Sequence, residues 1–228
     1  MALNLPNRKQ RSIQPLLAII AVIAMPALLS AELQAPPLVA RIFPILSNHY
    51  TGAVQLAISL LLIVIGIAVW WSGSHAVVRR LIYVYATLAT VVLIVSLFGL
   101  VLTLSVYTAA QATLLLKDAF VVWAMTVLAF SLWYWLIDSG WPEAMSGAEE
   151  DRHDFVFPQQ TQEINGWHAW APSYLDYLHL AFNTSTAFSP TDVLPLSHRA
   201  KVLMMIQSSL SLVVVATIAA RAINILAG

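Results

Sequence analysis

The stretch YLDYLHLAFNTSTAFSPTDVLP, residues 174–195, decides the fold, because it lies between two long apolar runs and matches neither a membrane span nor a soluble loop. Tyr174 to Ala187 make about four helical turns, roughly 21 Å, which is too short for a hydrocarbon core about 30 Å thick. Pro190 then breaks the helix, because it lacks an amide donor and disfavours helix at the residue before it. The stretch therefore predicts a half-helix that enters a membrane and turns back.

The segment after this half-helix carries the functional prediction. Non-helical backbone is tolerated at membrane depth only where it is buried in protein or lines a watery cavity, so a break at this depth predicts a pore or a site. The candidate pore and selectivity residues are Thr184, Thr186, Phe188, Ser189, Pro190, Thr191 and Asp192.

The same segment resembles the pore loop of potassium channels, whose general pattern runs D-A-L-Y-F-S-x-x-T-x-T-T-V-G-Y-G-D-x-x-P. The residues that match it without a gap are Asp176, Leu178, Thr184, Thr186, Asp192 and Pro195. Arg199 then opens an apolar helix, as the inner helix of that family does, so the resemblance covers residues 176–226. The two filter glycines of the family are replaced by Ser189 and Thr191, and the tyrosine between them by Pro190.

This resemblance implies a cation pore, in which four copies of the chain surround an axis and conduct monovalent cations such as potassium. Asp192 would supply a ring of carboxylates, which favours cations. The whole sequence also resembles multi-pass membrane proteins that are common in bacteria, which implies a bacterial inner membrane.

Composition independently indicates an integral membrane protein in contact with a lipid bilayer. Hydrophobic residues make up 60% of the chain and charged residues 10%, whereas soluble domains carry about 25% charged residues. Eleven basic and eleven acidic residues balance, which gives no indication of a nucleic-acid partner.

The sequence shows no sign of an enzyme. Cysteine is absent, which excludes disulfides and thiol catalysis. The six histidines have no metal-ligand spacing, and phosphate-binding glycine loops and nucleophile motifs do not occur. We therefore expect no catalytic residue, no metal and no cofactor.

The predicted fold is an all-α transmembrane protein with about five spanning helices and a re-entrant half-helix before the last span. The apolar runs that predict the spans are 13–33, 51–71, 79–106, 117–138 and 201–226. The expected divisions are a basic N-terminal segment (1–12), four transmembrane helices (13–137), an acidic aqueous loop (138–172), and the half-helix with the last span (173–228).

Several polar residues near or inside these helices allow more than one interpretation. Gln207 and Ser211 are inner-helix candidates for lining a pore, since polar residues in spans usually face the bundle interior or a water path. Lys117 and Asp118 are expected to be solvated interface charges without a mutual ion pair. His179 lies one helical turn after Asp176, which allows a protonation-sensitive pair, although a structural hydrogen bond is the commoner arrangement.

The distribution of basic residues predicts a cytoplasmic N-terminus. With five spans the bases inside are Arg8, Lys9, Arg11, Arg79, Arg80, Arg152, Arg199 and Lys201, against Arg41 and Lys117 outside. This orientation makes the half-helix enter from the cytoplasm, whereas the pore loop of a potassium channel enters from outside.

Two other functions remain open at the level of sequence. The loss of the filter glycines favours a non-conducting scaffold or regulatory protein that keeps the pore-loop architecture. Discontinuous helices also build the sites of small-solute transporters, but the half-helix is the only feature that supports this function.

Overall fold

The computed structural model describes residues 20, 25, 64, 75–103, 112–138, 153–161, 170–188 and 192–227. The basic segment 1–12 lies outside these residues. The predicted spans 13–33 and 51–71 also lie outside them, apart from three isolated positions.

The described part of the chain is mostly helical. Its helices are α1 (His75–Thr103), α2 (Ala112–Asp138), α3 (Pro158–Thr161), α4 (Tyr174–Ala187) and α5 (His198–Ala227), and its strands are β1 (Phe155–Val156) and β2 (Leu194–Pro195). The two strands form a short antiparallel pair. The bounds of α4 are those that the sequence predicts for the half-helix.

Three of the described helices are long and apolar enough to cross a membrane. Their apolar portions are Ile82–Leu102 in α1, Thr113–Asp138 in α2 and His198–Ala220 in α5. These helices coincide with the third, fourth and last predicted spans and support a membrane protein.

Helix α2 is the centre of the bundle. In its most apolar stretch of 18 residues 67% of the residues are buried, compared with 39% in the corresponding stretch of α1 and 28% in that of α5. It packs against α1, α4 and α5, and its buried side chains include Met125, Phe130, Leu132 and Tyr134. Because α2 is apolar on nearly all sides, it can be surrounded by other helices.

Helix α5 presents one narrow stripe to the bundle. Its buried residues recur at intervals of three or four, as expected for one face of a helix: Ala200, Met204, Gln207, Ser211, Val214 and Thr217. The remaining surface is apolar and exposed, and it includes Val202, Met205, Leu212 and Val215. Such a surface suits lipid or another protein.

The predicted aqueous loop differs from expectation where the structure describes it. Phe155 is fully buried and Phe157 nearly so, because the Phe155 ring packs edge-on against Tyr134 at a centroid distance of 5.2 Å. Asp154 is also buried. Part of the acidic stretch is therefore docked on the helix bundle.

The start of α2 also differs from expectation. Asp118 is fully buried, and its carboxylate lies 3.7 Å from the ammonium of Lys117, which is half exposed. The prediction of a solvated charge is therefore wrong for Asp118, and the two residues form an ion pair that their adjacency alone does not imply. The long lysine side chain can bend back towards its neighbour although adjacent Cβ atoms point in different directions.

Candidate functional site

The first turn of α4 is fixed by a carboxylate. Asp176 Oδ2 accepts hydrogen bonds from the Ser173 amide at 2.7 Å and from the Ser173 hydroxyl at 2.8 Å. An acid in the first turn also interacts favourably with the positive end of the helix dipole. His179 instead lies against Asn183, whose amide nitrogen is 3.0 Å from Nε2 of the ring. The Asp176 and His179 side chains thus have separate structural partners.

The N-terminal half of α4 is anchored at the C-terminal end of α2. The Tyr177 hydroxyl donates to Asp138 Oδ2 at 2.6 Å, and the Tyr174 hydroxyl is hydrogen-bonded to Ser131. Burial raises the pKa of the Tyr174 hydroxyl above its ordinary value, which keeps it protonated. Both tyrosine rings pack in the core.

The C-terminal half of α4 contacts the middle of α5 through a buried polar cluster, which we define as Tyr134, Ser185, Gln207 and Ser211. Gln207 Nε2 donates to the Ala181 carbonyl and to Ser185 Oγ, both at 2.7 Å. The Tyr134 hydroxyl donates to Gln207 Oε1, and Ser211 Oγ donates to Ser185 Oγ at 3.0 Å. The four side chains are fully buried. The cluster therefore joins α2, α4 and α5 by hydrogen bonds. Because its surroundings are apolar, these side chains have few other hydrogen-bond partners.

These contacts show that the chain turns back inside the bundle. The N-terminal end of α4 bonds Asp138, whereas Ser185 bonds Ser211, which is roughly 18 Å along α5 from Arg199 at 1.5 Å per residue. The chain then returns to Leu194, which pairs with Val156. Residues 188–196 could cover roughly 26 Å if they were extended, which is long enough for this return. We call residues 192–196, the described part of this return, the return segment.

The turn begins at Phe188, whose φ of 55° is left-handed. This conformation often terminates helices, but a large residue without glycine's freedom adopts it rarely. The sequence predicts the same helix end and assigns the break to the four residues Ser189, Pro190, Thr191 and Asp192. The structure ends the helix at Ala187, and Phe188 caps it in the left-handed conformation.

The structure divides the candidate residues into two sets. Thr184, Gln207 and Ser211 are fully buried within one chain, and Thr184 Oγ1 donates to the Leu180 carbonyl at 2.8 Å. Thr186, Phe188 and Asp192 are exposed, and Thr186 Oγ1 donates to the Phe182 carbonyl at 3.0 Å. Ser189, Pro190 and Thr191 lie outside the described residues.

This division decides which of the candidate residues could line a path for ions between copies of the chain. A path between copies of the chain would meet the exposed set, Thr186, Phe188 and Asp192. Gln207 and Ser211 point into the interior of their own chain, where they hold α4 against α5.

Sequence reasoning missed several residues that position the loop. Tyr134 and Ser185 complete the buried polar cluster, and Asp138 joins the end of α2 to both α4 and β1 through Tyr177, the Asp154 amide and the Phe155 amide. Tyr134 lies in an aromatic run and Asp154 in an acid-rich stretch, so neither stands out by pattern. Each is recognised only from its contact with a residue that is distant in the sequence.

No metal-binding arrangement is present in the part of the chain that the structure describes: groups of three or more His, Asp or Glu residues suited to an ion do not occur there. Comparisons with protein-family models, with curated proteins and with solved structures gave no match.

Proposed function

We propose that this chain is the subunit of a cation-conducting membrane pore, in which residues 184–192 of several copies form the narrow part. The observation that carries the proposal is the turn-back: α4 runs from the end of α2 to the level of Ser211, and the chain returns to the same end within a few residues. In a bilayer this segment would be re-entrant and would bring non-helical backbone to membrane depth.

The electrostatics of the turn favour cations. The C-terminal end of a helix carries a partial negative charge from its unpaired carbonyls, and α4 ends in this way just before the return segment. Asp192 adds an exposed carboxylate to the return segment. Several copies around an axis would present a ring of such groups, which is a known basis for cation preference.

The uncovered face of α4 supports an assembly of several copies. His179, Asn183 and Thr186 recur at intervals of four and three residues, so they form one polar row, and the first and last are exposed. These side chains have hydrogen bonds within their own helix, but polar residues in the membrane usually face protein or water and not hydrocarbon. A homotetramer, which the resemblance to potassium channels implies, would give this polar row both protein contacts and access to water.

Monovalent cations are the substrate class that we propose. A potassium filter presents backbone carbonyls with the help of glycines, and Ser189 and Thr191 stand at those positions. Hydroxyl groups and the Asp192 carboxylate would here replace part of the hydration shell. We also propose a bacterial inner membrane and a cytoplasmic N-terminus, which the charge distribution supports.

A second candidate function is a non-conducting scaffold or regulator. The observation that favours it is that Gln207 and Ser211 are engaged inside their own chain, so their contacts hold α4 against α5 without requiring an ion path. Native mass spectrometry separates the two functions: a closed tetramer favours the pore, and a monomer or dimer favours the scaffold.

Cation flux into liposomes tests the proposed function directly. Purified protein is compared with Asp192→Asn and Thr186→Ala for potassium, sodium and protons separately. Thr87→Ala is the matched control, because Thr87 is also exposed on a helix and bonds the carbonyl four residues before it, at 2.8 Å. We expect flux in the parent that either site variant changes and the control does not. A folded protein that passes none of these cations would refute the proposal.

A further inference from the structure

An ion pair outside the polar cluster joins the acidic stretch to the start of α5. Arg199 Nε donates to Asp154 Oδ1 at 2.7 Å, and Arg199 Nη2 donates to Asp154 Oδ2. The same Nη2 donates to the Ile137 carbonyl at 3.1 Å. This two-point geometry is specific to arginine and orients both partners.

The backbone of Asp154 makes two further connections. Its amide donates to Asp138 Oδ1 at 2.6 Å, and its carbonyl accepts from the Leu196 amide at 2.8 Å. The strand pair continues this contact, with Val156 opposite Leu194. Asp154 therefore contacts the end of α2, the return segment and the start of α5 at once. We call this set of contacts the Asp154 junction.

The junction and α4 share one carboxylate. Asp138 Oδ2 accepts from Tyr177 of α4, while Oδ1 accepts from the Asp154 amide. Asp138 therefore contacts α4 directly and is connected to the return segment through Asp154. A displacement of β1 would therefore disturb the contacts of both α4 and the return segment.

We propose that Asp154 and Arg199 are positioning residues for the return segment, so that the acidic stretch fixes the geometry of the proposed pore. The effect on conduction depends on the proposed function, whereas the effect on the return segment does not. The acidic stretch would then be part of the machinery, in addition to connecting α2 with α4.

The two partners differ in a way that gives the proposal a sharp test. The Asp154 side chain is 3% exposed and the Arg199 side chain 62% exposed. Arg199→Gln leaves a buried carboxylate without its charged partner, whereas Asp154→Asn leaves an arginine that water can reach. Stranding a buried charge is the more costly change, so the arginine variant should loosen the return segment more.

Hydrogen exchange of the full-length protein in nanodiscs measures this loosening. We expect Arg199→Gln to speed amide exchange across residues 193–197, apart from Pro195 which has no amide, by about tenfold or more through local opening. Asp154→Asn should do so less, and Arg199→Lys should lie between Arg199→Gln and the parent. The double variant should exchange no faster than Arg199→Gln, since both changes remove one interaction. Lys201→Gln is the control, because Lys201 is an exposed base on the same helix turn.

Exchange in α2 at residues 120–130 serves as the measure of global unfolding. Rates at 193–197 that stay within about twofold of the parent in Arg199→Gln, or that rise equally in α2, would overturn the positioning role. Cation flux of the same variants tests the link to conduction: we expect the potassium-to-sodium flux ratio to change in Arg199→Gln and not in Lys201→Gln.

The two readouts separate the two proposals. Faster exchange with no flux in the parent refutes the pore and retains the junction. Flux in the parent with neither readout altered by Arg199→Gln refutes the junction and retains the pore.

Discussion

Truncation of Gln207 is the perturbation that the structure specifies best. Gln207→Ala removes three hydrogen bonds, to the Ala181 carbonyl, to Ser185 and from Tyr134. Each is worth about 1 kcal/mol in water-soluble proteins and about 0.6 kcal/mol between membrane helices, which gives about 2 kcal/mol for the three. The cavity left at a fully buried site adds to this, so we expect a loss of about 2–4 kcal/mol.

Denaturant titration in micelles, followed by circular dichroism, measures this loss. Gln207→Leu is the second variant, because it keeps most of the volume and removes the same hydrogen bonds. Ser209→Ala is the matched control, since Ser209 is exposed two residues away and bonds only within its own helix in the contacts seen, to the Met205 carbonyl at 2.8 Å. If Gln207→Ala unfolds at the same denaturant concentration as Ser209→Ala, the polar cluster does not hold α4 against α5.

Two further stability predictions follow from single residues. Phe188→Gly should stabilise the folded protein by about 1 kcal/mol in the same titration, because glycine adopts the left-handed conformation without strain; a destabilised variant would mean that the Phe188 ring makes contacts that outweigh it. Tyr177→Phe should destabilise by about 1–2 kcal/mol, because it removes a donor to the Asp138 carboxylate; Thr87→Ala is its neutral reference, and equal unfolding of the two would contradict the anchoring of α4 at α2.

The half-helix could be predicted closely from the sequence. Its length against the hydrocarbon thickness and the proline after it are local properties, and they gave the bounds Tyr174–Ala187 that the structure has. The three spanning helices in the described part of the chain follow from apolar length in the same way. Local composition is enough for these elements because each one is specified by its own residues.

The contacts that position the loop could not be predicted in this way. Asp154 lies in an acid-rich stretch whose composition is typical of a solvated loop. Its burial depends on a contact with Arg199, which is distant in the sequence. The inward direction of Gln207 likewise depends on where α4 packs. The sequence predicts that Asp118 is solvated, but it is buried, because the packing of neighbouring helices decides the exposure of a residue near a helix end.

The most direct test of the turn-back is the side of the membrane from which each end of the loop can be reached. The chain has no cysteine, so Leu175→Cys, Leu196→Cys and Thr113→Cys each introduce a single thiol at an exposed position. A membrane-impermeant maleimide is then applied to either side of oriented vesicles. We expect Leu175→Cys and Leu196→Cys to react from one common side and Thr113→Cys, at the other end of α2, from the opposite side. Reaction of Leu175→Cys and Leu196→Cys from opposite sides would show that the segment crosses the membrane, and would contradict the re-entrant loop on which the proposed pore depends.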